Sequence, residues 1–269
     1  MNKFFILLQV IGIVIFFCSG CNPTYLKENL STDLEKLCKK EYNIDVQSKV
    51  IGKTIVVFLP VERLFEDSMS LAPDALEKVE NVILSTSRVI LSTNAELDFY
   101  MLIAADVKFS GTEIVLARYF DDLRKLMYGW MSREEYRKRV FWKVRVDHAV
   151  LEQAEFDFSN VSEMTLAYFI KHQLEQRINA EFGNLGYGFN VSLEYGQQSE
   201  EFVFTLTVAD EKQFRNLCLP VILKETAFVL KSYSFNQVRR IVVTNLWDNE
   251  VILTFKEELP KYLLEKLPH

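Results

Sequence analysis

Glycine and histidine are scarce in this chain, and their scarcity removes several kinds of catalytic site. Only nine residues are glycine, and no G-x-G-x-x-G or P-loop pattern is present to hold a phosphate group. The histidines are His148, His172 and His269, and no G-x-S-x-G elbow supplies a nucleophile. His172 lies among polar positions of a helical pattern and is expected to face solvent, which leaves His148 as the candidate base. We therefore expect no enzymatic activity and no cofactor, and the sequence identifies no small-molecule substrate.

Cysteine is also too rare to build a metal centre. Beyond the N-terminal segment only Cys38 and Cys218 remain, with no C-x-x-C pair between them. Two interpretations stay open for this pair, a disulfide or two separately buried thiols.

The charge balance argues against nucleic acid as a partner. The formal net charge is −6, and an acidic chain is a poor general binder of phosphate backbones. Hydrophobic residues make up 49% of the chain, which is typical of a globular fold.

The first 20 residues have the layout of a secretory signal. Lys3 precedes an apolar run over residues 4–17, and the small residues Ser19 and Gly20 stand before Cys21. Fourteen helical residues span about 21 Å, which is short of the roughly 30 Å hydrocarbon core.

Ser19, Gly20 and Cys21 resemble the cleavage box of a bacterial lipoprotein signal, although Cys18 stands where leucine is usual. The resemblance implies cleavage before Cys21, a lipid on its thiol, and attachment to a membrane of the cell envelope. In such lipoproteins Asp after the cysteine often signals retention in the inner membrane. Asn22 stands there instead, which favours the outer membrane, facing the periplasm. An uncleaved inner-membrane anchor and an ordinary secretion signal are the alternatives.

Three groups of residues recur in the same order and indicate an internal duplication. They are Leu34-Glu35 with Leu174-Glu175, Val82-Ile83-Leu84 with Val221-Ile222-Leu223, and Glu113-Ile114-Val115-Leu116 with Glu250-Val251-Ile252-Leu253. We therefore divide the chain into a signal (1–20), a tether (21–29), a first unit (30–127), a helical connector (128–163) and a second unit (164–269).

Each unit shows the periodicities of an α-β-β-α-β-β order. Pro73 marks the start of the second helix in the first unit, and Pro220 is expected to interrupt its counterpart. The predicted class is α+β, with antiparallel sheets that have helices on one face and solvent on the other.

The duplication also indicates roles for single residues. Cys38 aligns with Ile178 and Cys218 with Val79, which favours buried thiols. The acidic pairs at 121–122 and 257–258 both follow the last strand of a unit, where negative charge suits a helix N-terminus.

The connector differs from the rest of the chain in charge. Between residues 124 and 145 there are eight basic residues against Glu134 and Glu135, and aromatic residues are interleaved with them. Ser132 and Glu135 form a capping-box pattern. We predict an interaction surface, the connector surface, made of Arg133, Arg137, Lys138, Arg139, Trp130 and Trp142. The alternative is a connector whose charges meet the protein's own acidic groups.

The sequence thus predicts a lipid-anchored envelope protein that acts by binding or as a scaffold. Its partners are the membrane, through the anchor, and an envelope protein or anionic lipid at the connector. A secreted hydrolase with a dispersed active site is the alternative function.

Overall fold

A computed structural model describes residues 24–68, 70–108, 111–146 and 156–263. The predicted signal and the lipid-attachment residue Cys21 lie outside these ranges, as does His148.

The first unit has the predicted order of helices and strands. Its elements are α1 (Leu30–Tyr42), β1 (Gln47–Ile51), β2 (Thr54–Val61), α2 (Pro73–Leu91), β3 (Phe99–Asp106), β4 (Thr112–Tyr119) and α3 (Phe120–Met127). Pro73 is the first residue of α2, as expected, because its missing N–H is not needed there. Gly52 has φ +57°, which allows the tight turn from β1 to β2.

The connector contains a helix and also a strand that was not predicted. They are α4 (Arg133–Lys138) and β5 (Phe141–Val146). Strand β5 pairs antiparallel with β4 and becomes the fifth strand of the first sheet. The prediction of a purely helical connector was therefore wrong.

The second unit repeats the order of the first. It runs α5 (Leu166–Asn184), β6 (Ser192–Gly196), β7 (Glu201–Leu206), α6 (Glu211–Gln213), a π turn (Phe214–Cys218), α7 (Leu219–Ser232), β8 (Arg240–Asn245), β9 (Glu250–Phe255) and a 3₁₀ helix (Lys256–Leu263).

The first four strands of the first sheet and the four strands of the second sheet share one topology. The strand orders are β1-β2-β3-β4-β5 and β6-β7-β8-β9. The α+β class is confirmed, but the central pairs, β2 with β3 and β7 with β8, are parallel while the others are antiparallel. A helix connects the two strands of each central pair, and such a crossover returns the chain in the same direction.

This shared topology supports the duplication, which remains a proposal. The strand pairs make Thr54, Phe99 and Tyr119 the counterparts of Glu201, Arg240 and Phe255. On this basis Glu250 corresponds to Ile114, so the predicted match to Glu113 is displaced by one residue.

The π turn explains a second displacement between the units. Thr86 and Thr226 are both buried, and each donates its hydroxyl to the carbonyl oxygen four residues earlier at 2.7 Å. This pair lies one position further apart in sequence than Val79 and Cys218. A π turn adds one residue to a helix, and it stands just before Pro220, where an interruption was expected.

The layers alternate as helix, sheet, helix and sheet. Residues of α1 and α2 cover one face of the first sheet, and its other face shares a core with α5, α7 and the second sheet. Phe169 of α5 lies 5.3 Å from Phe99 between ring centroids. The expectation that each sheet has one solvent-exposed face therefore holds for the second sheet. It fails for the first sheet, because the second unit covers the face that was expected to be exposed.

The seam between the units also contains hydrogen bonds. The Lys53 N–H donates to Glu163 Oε1 at 2.8 Å, and the Met164 N–H donates to Thr54 Oγ1 at 3.1 Å. These bonds join the β1–β2 turn to the end of the connector, so the seam is more than apolar packing.

The two described cysteines are free thiols in different cores. Cys38 lies in the core of the first unit and Cys218 in the core shared with the second. The disulfide interpretation is therefore wrong, and the buried-thiol interpretation is confirmed.

Candidate interaction surface

Helix α4 begins where the capping pattern predicted. The Ser132 hydroxyl accepts a hydrogen bond from the Glu135 N–H at 3.1 Å. The Glu135 carboxylate does not complete the capping box. It pairs instead with Arg139 at 2.7 Å and with Arg177 of α5 at 3.3 Å.

A buried ionic cluster fixes the connector to both units. Asp122, in the first turn of α3, pairs with Arg139 at 2.9 Å and accepts a hydrogen bond from the Tyr233 hydroxyl at 2.8 Å. Burial raises the pKa of Tyr233, and the neighbouring Asp122 raises it further, so the phenol stays protonated and donates. Arg177 continues the cluster to Glu225 of α7 at 2.8 Å.

Arg139 therefore does not belong to the connector surface. Its side chain is 9% exposed and its guanidinium is held by Asp122 and Glu135. The prediction for this residue was wrong because the fold places it beside the buried Asp122 and the partly buried Glu135, and a buried carboxylate without a partner cation would be strongly destabilising. Asp122 likewise does more than favour a helix N-terminus.

The other basic residues of the connector divide into two groups. Lys125, Lys138 and Arg145 form ion pairs with Asp121, Glu134 and Glu113, and the Arg124 guanidinium lies over the Phe120 ring. Arg133, Arg137 and Lys143 are exposed and have no ion pair with any residue in the described ranges. Among the described residues, acidic groups thus pair with part of the basic connector and not with all of it.

Two tryptophans of the connector surface are open to solvent. Trp130 is 77% exposed and Trp142 is 56% exposed. Trp130 also lies beside the exposed ring of Tyr128, at 5.2 Å between ring centroids. Exposed aromatic side chains next to cations are typical of interaction sites.

Part of the connector surface lines a groove of about 270 Å³, which we name the connector groove. One wall carries Arg137, Lys138 and Trp142, and the other is formed by α5. Gln176 of α5 donates to the Trp142 carbonyl oxygen and so holds the two walls together. The contributions of Gln176 and Arg177 were not predicted, since neither stands near the connector in sequence.

Strand β5 separates this groove from a second concavity. A cleft of about 370 Å³ lies next to Phe141, Lys143 and Arg145, with Met101 and Val115 of the first sheet at its floor. Successive residues of a strand point to opposite faces, so Trp142 projects from one face of β5 and its neighbours Phe141 and Lys143 from the other.

His172 is placed differently from the prediction. Its ring packs 4.6 Å from Phe141 and 4.4 Å from Tyr168, and Nδ1 lies 3.5 Å from a Glu175 carboxylate oxygen. The hydrogen bond from His172 lowers the pKa of Glu175. The imidazole is only 14% exposed, so the expectation that it faces solvent was wrong.

Within the described part of the chain, no three His, Cys, Asp or Glu side chains are grouped to hold a metal ion. None of the helices in the same ranges is long and apolar enough to cross a membrane.

No protein family, curated protein or solved structure matches this chain. The connector and its surroundings are therefore interpreted from their geometry.

Proposed function

We propose that this protein is a lipid-anchored protein of the cell envelope that acts by binding through its connector. It has no enzymatic role in this proposal. The lipid is attached to Cys21, and Asn22 favours the periplasmic side of the outer membrane. The partner at the connector is an acidic segment of another envelope protein.

The observation that carries the proposal is the remaining positive charge of the connector beside exposed indole rings. Arg133 and Arg137 are exposed and have no ion pair with a described residue, in a chain with net charge −6. Trp130 and Trp142 are more than half exposed close to them in sequence. Cations that are not paired by any described residue attract an acidic partner, and indole rings add apolar contact area.

The shape of the site favours a protein over a lipid surface. Trp142 is one of the residues that line a groove between β5 and α5. A flat membrane surface follows a concave groove poorly, whereas a protruding acidic segment can enter it.

The first residues that the structure describes lie close in sequence to the proposed anchor. Tyr25 donates its N–H to the Ser92 carbonyl oxygen at 3.2 Å, and the Lys27 N–H donates to Asn94 Oδ1 at 2.8 Å. The predicted tether of residues 21–29 is thus attached to the fold from Tyr25 onward. A lipid on Cys21 would hold Tyr25 within about 14 Å of the attachment point, since an extended chain spans about 3.5 Å per residue.

The anchor is tested by Cys21→Ser in the full-length protein. We expect the wild type in the membrane fraction and the variant in the soluble fraction, because a single thiol is the attachment point. The measurement is fractionation followed by intact-mass analysis for the added lipid. A variant that stays in the membrane with residues 1–20 still attached would show an uncleaved anchor instead.

The connector is tested by the double variant Arg133→Glu/Arg137→Glu. A photo-crosslinking amino acid at position 138, which lines the groove, is expected to capture one discrete protein in intact cells. Charge reversal is expected to reduce that product at least tenfold, with an unchanged unfolding midpoint, because both side chains are exposed.

Lys36→Glu/Lys78→Glu is the matched control, since both lysines are exposed and the charge change is equal. It should leave the crosslink intact. Loss of the product in this control would mean a general charge effect. A different result would indicate that the site contacts lipid: no crosslinked product from either the wild-type or the control protein, together with binding of purified wild-type protein to anionic vesicles through Arg133 and Arg137.

A further inference from the structure

The cleft of about 370 Å³ next to β5, which we name the β5 cleft, has an apolar floor. Met101, Ile103 and Val115 of the first sheet form this floor, and all three belong to the core that the two units share. Residues 160–165 and Tyr168 of α5 line the cleft from the side of the second unit. Small-molecule sites have volumes of about 300–1,000 Å³, so this cleft is large enough for one small ligand.

One row of paired residues leads from a cation into the cleft. Lys143 of β5 is paired with Val115 of β4, and Val115 is paired with Ile103 of β3. Paired residues point to the same face of a sheet, so the Lys143 side chain starts directly beside the apolar floor. Phe58 is the next residue of the row, and Phe156 stacks on it at 4.2 Å between ring centroids. The part of the row that lines the cleft therefore spans two strand spacings, about 10 Å.

Positive charge is concentrated at the β5 end of the cleft. Lys143 is exposed and has no ion pair with any described residue. Arg145 lines the same end, and its Nε donates to the buried Glu113 carboxylate. Thr165, the N-cap of α5, also lines the cleft, so the partial positive charge of this helix end lies at the wall. Lys143 is thus the lining cation whose charge is available to a ligand.

Among the described residues that line the cleft, Glu163 supplies the one carboxylate, and it is held at the other end. Its Oε1 accepts a hydrogen bond from the Lys53 N–H at 2.8 Å, in the turn that precedes β2. Strand β2 is three strand spacings from β5, which is about 14 Å. An anion beside Lys143 therefore lies far from the Glu163 carboxylate, and the cleft has a cationic end next to an apolar floor.

We propose that the β5 cleft binds a single-chain amphiphile with a carboxylate head group, a medium-chain fatty acid. The carboxylate pairs with Lys143, and the apolar chain lies over Val115 and Ile103. Removing the chain from water favours binding without fixing a direction, whereas the ion pair at Lys143 orients the ligand. The volume and the length of about 10 Å admit one chain of medium length and not a lipid with several chains.

This inference depends neither on the lipid anchor nor on the partner proposed for the connector groove. Lys143 and Trp142 project from opposite faces of β5, because successive residues of a strand alternate. A change at Lys143 therefore tests the β5 cleft and leaves Arg133 and Arg137 in place.

Photolabelling of the full-length protein in phosphatidylcholine nanodiscs tests the cleft. The probe is a ten-carbon carboxylate with a diazirine at its far end, which inserts into adjacent side chains on irradiation. We expect saturable labelling that unlabelled decanoate competes away and that peptide mass analysis maps to Met101, Ile103 or Val161. The matching ten-carbon alcohol probe lacks the anion and should label these residues at least fivefold less.

Lys143→Glu is expected to reduce the labelling at least tenfold, because it replaces the attracting cation with an anion. The unfolding midpoint should not change, since the side chain is exposed. Lys143→Gln removes the charge without reversing it and should give a smaller loss. Arg145 is left unchanged in these variants, because it pairs with the buried Glu113 carboxylate and contributes to the fold.

Lys231→Glu is the matched control for charge reversal. Lys231 is exposed and lines a different cleft of about 500 Å³, whose other lining residues include Leu230 and Leu259. This variant should label as strongly as the wild type. A loss of labelling in Lys231→Glu but not in Lys143→Glu would place the ligand in that other cleft and overturn the proposal.

Three further results would also contradict the proposal. They are the absence of saturable labelling, labelling of Lys143→Glu and Lys143→Gln to the wild-type extent, and equal labelling by the carboxylate and alcohol probes. The last result would mean that the apolar chain partitions into the cleft without recognition of the anion.

Discussion

Burial makes the two cysteine thiols less acidic than usual. Desolvation raises the pKa of the Cys218 thiol to about 12 and also raises that of Cys38. Because the thiolate is the reactive species, both side chains should be inert at neutral pH.

We therefore expect Cys38 and Cys218 to resist alkylation by iodoacetamide at pH 8 in the folded protein. Peptide mass analysis should show little label on either residue in native buffer and complete label in denaturant. Rapid labelling of one cysteine before unfolding would show that its core opens locally. A Leu84→Cys variant provides the accessible control, because Leu84 is half exposed.

The buried ionic cluster contains the residues that sequence reasoning missed. Tyr233 and Asp122 are separated by 111 positions in the chain, and nothing local to either predicts their hydrogen bond. Arg139 stands in a basic run that looks uniformly solvated. Whether each cation is free or paired depends on which carboxylates the folded chain brings close, so the run could not be divided from sequence alone.

At the scale of elements, periodicity and turn residues predicted most of the fold. The helix starts at Pro73 and Ser132 and the interruption near Pro220 each follow from a local backbone rule. Strand β5 was missed although Trp142, Val144 and Val146 alternate with charged residues. The capping pattern a few residues earlier favoured a longer helix.

The parallel pairing of the central strands also could not be predicted from the local sequence pattern. Alternation of apolar and polar residues indicates a half-buried strand but not whether its neighbour is parallel. That choice depends on the helix connecting β2 to β3, which carries the chain across the sheet before it pairs again.

At the scale of the whole molecule, the two units share one core. The outer side of the first sheet, α5, α7 and the inner side of the second sheet form a single apolar cluster. Units that share a core lose stability together, because exposing either one exposes the apolar surface of the other.

We expect the two units to unfold in one transition. Trp247→Phe leaves Trp130 and Trp142 to report on the first unit and connector, and Trp130→Phe/Trp142→Phe leaves Trp247 to report on the second. Fluorescence of both variants in urea should show the same midpoint. Phe169→Ala, at the seam, should lower the free energy of unfolding by about 3–5 kcal/mol. The urea midpoints of both tryptophan signals should fall together.

Separate midpoints, or a Phe169→Ala effect confined to the Trp247 signal, would mean that the units are independent domains. Leu76→Ala is the matched control for an apolar truncation, since that residue is 41% exposed and belongs to neither core cluster.

The sequence by itself determined the order of elements, the helix starts, the α+β class and the burial of the cysteines. These features depend on neighbours a few residues apart, through backbone hydrogen bonds and the burial of one face. Only the tertiary structure decided that the second unit covers the first sheet and that Arg139 is buried. Those outcomes depend on which distant surfaces meet and lose their water, and local pattern does not encode that choice.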